Sequence, residues 1–179
     1  SENMLTKGYQ ELRKGWKDMK HNYVLRSYLL AFFVYNMGVQ TVLLVATLFG
    51  AQEIKMETGQ LITTILIIQF VALIGAYLFL FFSKKVGNIR TLMIAVCIWI
   101  GACLGTYFFC YTPNDFFVVA GFVGLVMGGI QSLSRSTYSK LLPETDDHAS
   151  SFSFYDVTVK VCIVLGMATF GIINEMSTN

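Results

Sequence analysis

The sequence predicts an all-α integral membrane protein, a helical bundle of five transmembrane helices. Composition is the first reason. The chain has 179 residues, of which 55% are hydrophobic and 13% charged, and its mean hydropathy is +0.60. A soluble domain carries about 25% charged residues. Patterning is the second reason. The apolar residues gather into five long runs with short polar breaks, and a hydrocarbon core needs about 20 residues to cross as a helix. Helices fit because each satisfies its own backbone hydrogen bonds where no water can.

The first element, residues 4–23, precedes these runs. Leu5, Tyr9, Leu12, Trp16, Met19 and Tyr23 recur at spacings of four and three, which places them on one helical face. Lys7, Lys14, Lys17 and Lys20 fall on other faces. Residues 1–23 therefore read as a cytoplasmic, basic amphipathic linker helix that rests on the membrane surface. A heptad-like seam against another helix is the other reading of the same spacing.

Residues 24–179 hold the bundle. The five spans are expected at about 24–49, 61–82, 91–111, 116–142 and 152–173, joined by 50–60, 83–90, 112–115 and 143–151, with a turn at Pro143. Lys and Arg set the orientation. Lys7, Arg13, Lys14, Lys17, Lys20 and Arg26 precede or open the first span. Lys84, Lys85 and Arg90 follow the second, and Arg135, Lys140 and Lys160 flank the connection from the fourth to the fifth. The opposite side has only Lys55. This predicts a cytoplasmic N-terminus and, with five spans, a C-terminus on the other side. A chain that starts at Ser1 and holds an odd number of spans is expected to be a piece of a larger membrane protein.

Several function classes are set aside. A net charge of +2 is too small to suggest nucleic acid. Cys97, Cys103, Cys110 and Cys162 lie in apolar runs with no CxxC, and His21 and His148 stand apart. They read as small hydrophobes, not as metal ligands. No HExxH, nucleophile–base spacing or phosphate-cradling loop is present. The expectation is no catalytic set, no cofactor and no metal.

Polar residues inside the spans are the candidates for function, because amides in lipid need partners or a wet cavity. Asn36 and Gln40 share a face of the first span, Gln69 sits in the second and Gln131 in the fourth. These four are candidate substrate-binding residues; helix-to-helix hydrogen bonding is the plainer reading. Gly124 with Gly128, and Gly101 with Gly105, make GxxxG pairs suited to close packing. Gly128-Gly129 could also serve as a hinge. Ser132, Ser134, Arg135 and Ser136 form a polar cuff on the fourth span, and Asp156 stands four residues before Lys160 on the fifth, the favourable order for an ion pair. If the two spans are neighbours, Arg135 could also reach Asp156 and form a cytoplasmic latch. The serines at 132, 134, 136 and 139 suit bonds to carbonyls one turn back.

The runs GGIQSLSRSTYSKLLPE and FSFYDVTVKVCIVLG resemble the C-terminal half of major facilitator superfamily transporters. The resemblance is greatest to the bacterial "unknown major facilitator" branch and its fungal relative, the autophagy-related vacuolar amino-acid effluxer. Gly128, Gly129, Gln131, Ser132, Ser134, Arg135 and Ser136 match the end of the family's tenth helix. Phe152, Tyr155, Asp156 and Lys160 match the opening of the eleventh. The run from Lys84 to Arg90 resembles the basic loop between paired helices, with Lys84 where the pattern often has an acid.

The resemblance implies a partial major facilitator fold, helices seven to eleven, in the bacterial inner membrane. It also implies a secondary active transporter that moves small solutes, amino acids foremost, by alternating access. Ser132, Ser134, Arg135, Ser136, Asp156 and Lys160 would form its cytoplasmic gate. The expected partners are the lipid bilayer, the missing N-terminal six-helix half and a small-molecule substrate. The alternative is a non-transporting multi-pass scaffold or receptor.

Overall fold

The computed structural model describes residues 4–52, 55–142 and 148–178. All regular structure among them is helical: α1 Met4–His21, α2 Tyr23–Gln52, α3 Thr58–Val86, α4 Asn88–Phe109, α5 Pro113–Leu141 and α6 His148–Thr178. Helices α2 to α6 are long and apolar enough to cross a membrane. Each overlaps one expected span and begins one to four residues before it; α2, α3 and α6 also run past its end, whereas α4 and α5 stop at Phe109 and Leu141, short of the expected 111 and 142. The turn expected at Pro143 lies outside the described residues.

Local chemistry sets the helix ends. Asn22 separates α1 from α2, and its Oδ1 accepts hydrogen bonds from the amides of Val24 and Leu25 at 3.1 and 3.2 Å. That is an N-cap, worth about 1 kcal/mol. At α3 the Glu57 amide donates to Gln60 Oε1 at 3.0 Å. At α5 Thr112 and Asp115 cap reciprocally: the Asp115 amide donates to Thr112 Oγ1 at 3.2 Å, and the Thr112 amide to Asp115 Oδ2 at 3.1 Å. Pro113 then takes the first helical position, where a missing N–H does no harm. Between α3 and α4 the chain turns on the single residue Gly87, with φ +97°. A side chain there would be strained.

The helices divide into two compact units. Residues 1–41 and 138–179 form one, and residues 42–137 the other. In the first unit Leu25, Leu29 and Phe32 of α2 pack with Tyr138 and Tyr155. Phe32 stacks on Tyr155 at 4.7 Å between ring centroids, and Tyr138 lies 5.1 Å from the Tyr155 ring. The Tyr138 hydroxyl donates to the Ser151 carbonyl at 2.8 Å, so this buried ring keeps its polar end satisfied.

Helix α1 also belongs to this unit and packs on α6. Gly15 makes the contact: a Cβ there would lie 2.7 Å from Phe154 Cγ. Tyr9 and Trp16, on the apolar face, stay exposed. So α1 presents its glycine to α6 and leaves its aromatic side uncovered, which suits a helix lying at a membrane surface.

In the second unit α5 crosses α3 at backbone contact distance. A Cβ on Gly124 would lie 2.7 Å from the Ile68 carbonyl oxygen, and one on Gly128 would strike the Ala72 carbonyl. Gly75 of α3 meets the Leu125 carbonyl in the same way. This is the close approach that small residues permit in a membrane. The other GxxxG pair differs: nothing lies within 4 Å of a Cβ on Gly101 or Gly105. That pair does not mediate packing among the described residues.

Candidate functional site

The polar residues of the spans fall into two groups. Asn36, Gln40, Asp156 and Lys160 belong to the first unit; Gln69, Gln131, Ser132, Ser134, Arg135 and Ser136 belong to the second.

In the first unit α2 meets α6 beside Asn36. The Cys162 thiol is buried and directed at the Phe33 carbonyl, 3.6 Å away. One turn further, a Cβ on Gly166 would lie 3.3 Å from the Met37 carbonyl, so the backbones approach closely there. Asn36 is 4% exposed, and its Nδ2 faces the Cys162 sulfur, a weak acceptor, with no oxygen or nitrogen partner. An unused buried donor costs about 1–3 kcal/mol. Among the described residues it is the one buried side-chain nitrogen or oxygen left in this state. Gln40, one turn along α2, is half-buried. Asp156 and Lys160 are exposed on α6.

In the second unit Gln69 of α3 and Gln131 of α5 are exposed. The sequence places them inside spans, but this chain does not cover them. The polar cuff is sorted by its hydrogen bonds. Ser132 Oγ donates to the Gly129 carbonyl and buried Ser134 Oγ to the Ile130 carbonyl. Both bonds run back along α5, as hydroxyls in a membrane helix do. Ser136 departs from that expectation: its Oγ accepts from Asn88 Nδ2 at 2.9 Å, tying the start of α4 to α5. Arg135, between them, is exposed.

Sequence reasoning missed two participants, Asn88 and Tyr138. Asn88 looked like an ordinary loop residue, although its place right after Gly87 marks a helix start. Tyr138 sits three residues past Arg135 and was not distinguished from packing. Phe152 and Tyr155, taken as motif residues, turn out to be aromatic neighbours of Tyr138. Among the described residues no His, Cys, Asp and Glu gather closely enough to hold a metal ion.

Five apolar helices, glycine-mediated backbone contacts and isolated amides within the spans define a polytopic α-helical membrane protein. Among the described residues the site brings amides, hydroxyls, the Cys162 thiol and exposed charges onto membrane helices. The chain belongs to the family described as "Vacuole effluxer Atg22 like", whose model matches residues 1–179. It is 28% identical over 159 residues to the uncharacterized MFS-type transporter YxiO of Bacillus subtilis, covering 88% of this chain and 36% of that protein. It is 26% identical over 188 residues to autophagy-related protein 22 of Eremothecium gossypii, covering 95% of this chain and 37% of the relative. The same identity and length hold for autophagy-related protein 22 of Saccharomyces cerevisiae strain S288c, with 99% and 35% covered. The chain thus spans little more than a third of the length of these curated relatives. No solved structure matches it significantly.

Proposed function

We propose that this chain forms helices seven to eleven, most of the C-terminal half, of a secondary active transporter that moves small solutes by alternating access. Amino acids are the leading substrate class. Asn36 carries the reading. A bundle that served packing alone would be more stable with an apolar residue there, since the unused amide donor is a standing penalty. A donor that meets no better acceptor than the Cys162 thiol, beside Gln40, is available to a carboxylate or carbonyl of a substrate. Buried polar groups within spans commonly mark such pathways.

Gln69 and Gln131 extend this set. Their exposure on apolar helices suits a second helical half laid over them, and the greater length of the relatives supports its presence. The missing six-helix N-terminal half and the lipid bilayer are the partners in this scheme. Ser132, Ser134, Arg135, Ser136, Asp156 and Lys160 act at the cytoplasmic gate, with Arg135 and Asp156 its latch charges. The N-terminus is cytoplasmic, an orientation that the Lys and Arg bias supports, and the membrane is the bacterial inner membrane.

The test is transport by the full-length parent in proteoliposomes, with the Asn36→Leu variant alongside. The expected outcome is loss of transport with equal or higher thermal stability. Normal transport by Asn36→Leu would make the amide structural and remove it from the site. A flat response to a broad panel of amino acids and peptides would eliminate the substrate class. Normal transport by both Arg135→Ala and Asp156→Ala would eliminate the latch.

A further inference from the structure

Cys162 of α6 stands between two groups of α2. Its thiol hydrogen is directed at the Phe33 carbonyl, 3.6 Å away. Its sulfur faces Asn36 Nδ2, which finds no oxygen or nitrogen acceptor. Both side chains are closed in by the protein: Cys162 is 0% and Asn36 4% exposed. One turn along α6, a Cβ on Gly166 would lie 3.3 Å from the Met37 carbonyl. The seam is therefore narrow and favours a small side chain at position 162.

The small side chains differ in what they offer the amide. Alanine would leave Nδ2 with nothing to face. Serine would accept from it with an oxygen, whichever carbonyl its own hydrogen goes to, because a hydroxyl keeps lone pairs for acceptance. Cysteine lies between them, since its sulfur accepts only weakly. The amide is thus given a direction at little gain in energy. A ligand oxygen that reaches Nδ2 replaces a poor hydrogen bond with a good one. Against serine it would replace one good bond with another, and the net gain would shrink.

We propose that Cys162 is a positioning residue that sets the affinity of the transporter for its solute. It orients the Asn36 amide in the empty site and yields it to a carboxylate or carbonyl oxygen of the solute. The inference rests on the transport reading of Asn36 and adds to it the group that keeps the donor available.

The experiment measures concentration-dependent transport by the full-length parent in proteoliposomes. The probe is the radiolabelled L-amino acid, from a panel of the standard set, that the wild type carries fastest. Cys162→Ser is expected to raise KM about fivefold at unchanged maximal rate, the equivalent of one neutral hydrogen bond of about 1 kcal/mol. Cys162→Ala is expected to show a KM no higher than wild type. A residue that only fills space would change thermal stability and leave KM in place. A double-mutant cycle reads the same contact without transport: Cys162→Ser should raise the unfolding temperature when Asn36 is present and should not in the Asn36→Leu background. An unchanged KM for Cys162→Ser, a raised KM for Cys162→Ala, or equal stabilisation by serine in both backgrounds would overturn the inference and leave Asn36 in the site. If the serine variant fails to fold, the alanine variant carries the test. No wild-type transport of any member of the panel would instead overturn the amino-acid reading, and this inference with it.

Discussion

The two GxxxG pairs of this chain should respond oppositely to the same substitution. At Gly128 an alanine Cβ would lie 2.8 Å from Ala72 Cα and closer still to its carbonyl, whereas ordinary contact begins at 3.4 Å. The obstacle is backbone, so no rotamer change relieves it. Helix α3 would have to retreat by well over half an ångström along a seam that also holds Gly124 and Gly75. Overpacking of this kind costs about 1–3 kcal/mol, and the rigid obstacle favours the upper part of that range. At Gly101 nothing lies within 4 Å of the added methyl, and Gly→Ala in a helix interior stabilises by roughly 0.5–1 kcal/mol. Gly128→Ala and Gly101→Ala should therefore differ by about 3 kcal/mol. Denaturant unfolding of the two variants in mixed micelles, followed by far-UV circular dichroism, measures that difference. Equal midpoints for both variants would refute the assignment of the α3–α5 crossing to glycine contact.

Three other perturbations follow from single contacts. Tyr138→Phe removes the hydroxyl that reaches the Ser151 carbonyl, and a loss of about 1 kcal/mol in the same unfolding assay is expected. Asn22→Ala deletes the cap of α2 and should destabilise by about 1 kcal/mol; amide exchange in the first turn of α2 should quicken, while Asn22→Asp should leave it unchanged. Gly15→Val drives a branched side chain into the Phe154 ring and should release α1 from α6. Faster tryptic cleavage after Arg13, Lys14 and Lys17 would report the release, and an unaltered cleavage rate would contradict the contact.

The five spans were legible because a membrane helix must be apolar over a fixed length, and that requirement leaves little room for another reading. The capping residues were legible in kind, since Asn22 and Thr112 are side chains that accept from free amides at a helix start. What lay beyond the sequence was pairing. Gly101 and Gly105 carry the same spacing as Gly124 and Gly128, yet spacing says only that a helix could be approached, not that another arrives. The amphipathic face of α1 was visible, but its contact came through Gly15, a residue with no hydropathy to signal it. The candidate site divides along the same line. That Asn36 matters follows from an amide in a span; that its donor is unused depends on which atoms α6 brings near it. The exposure of Gln69 and Gln131 was likewise invisible, because a sequence does not say how many neighbours a helix has.

The connection between α3 and α4 has a mechanical consequence. One residue, Gly87, joins them, and both its sides are fastened: its amide donates to the Ser83 carbonyl at 2.8 Å, and its own carbonyl accepts from Thr91 Oγ1 at 2.8 Å. Consecutive Cα atoms are only about 3.8 Å apart, whereas sliding one helix past another by a turn requires about 5.4 Å. The joint has no slack for such a stroke. At this end α3 and α4 can pivot about Gly87 but cannot piston, so any displacement of one is handed to the other as rotation.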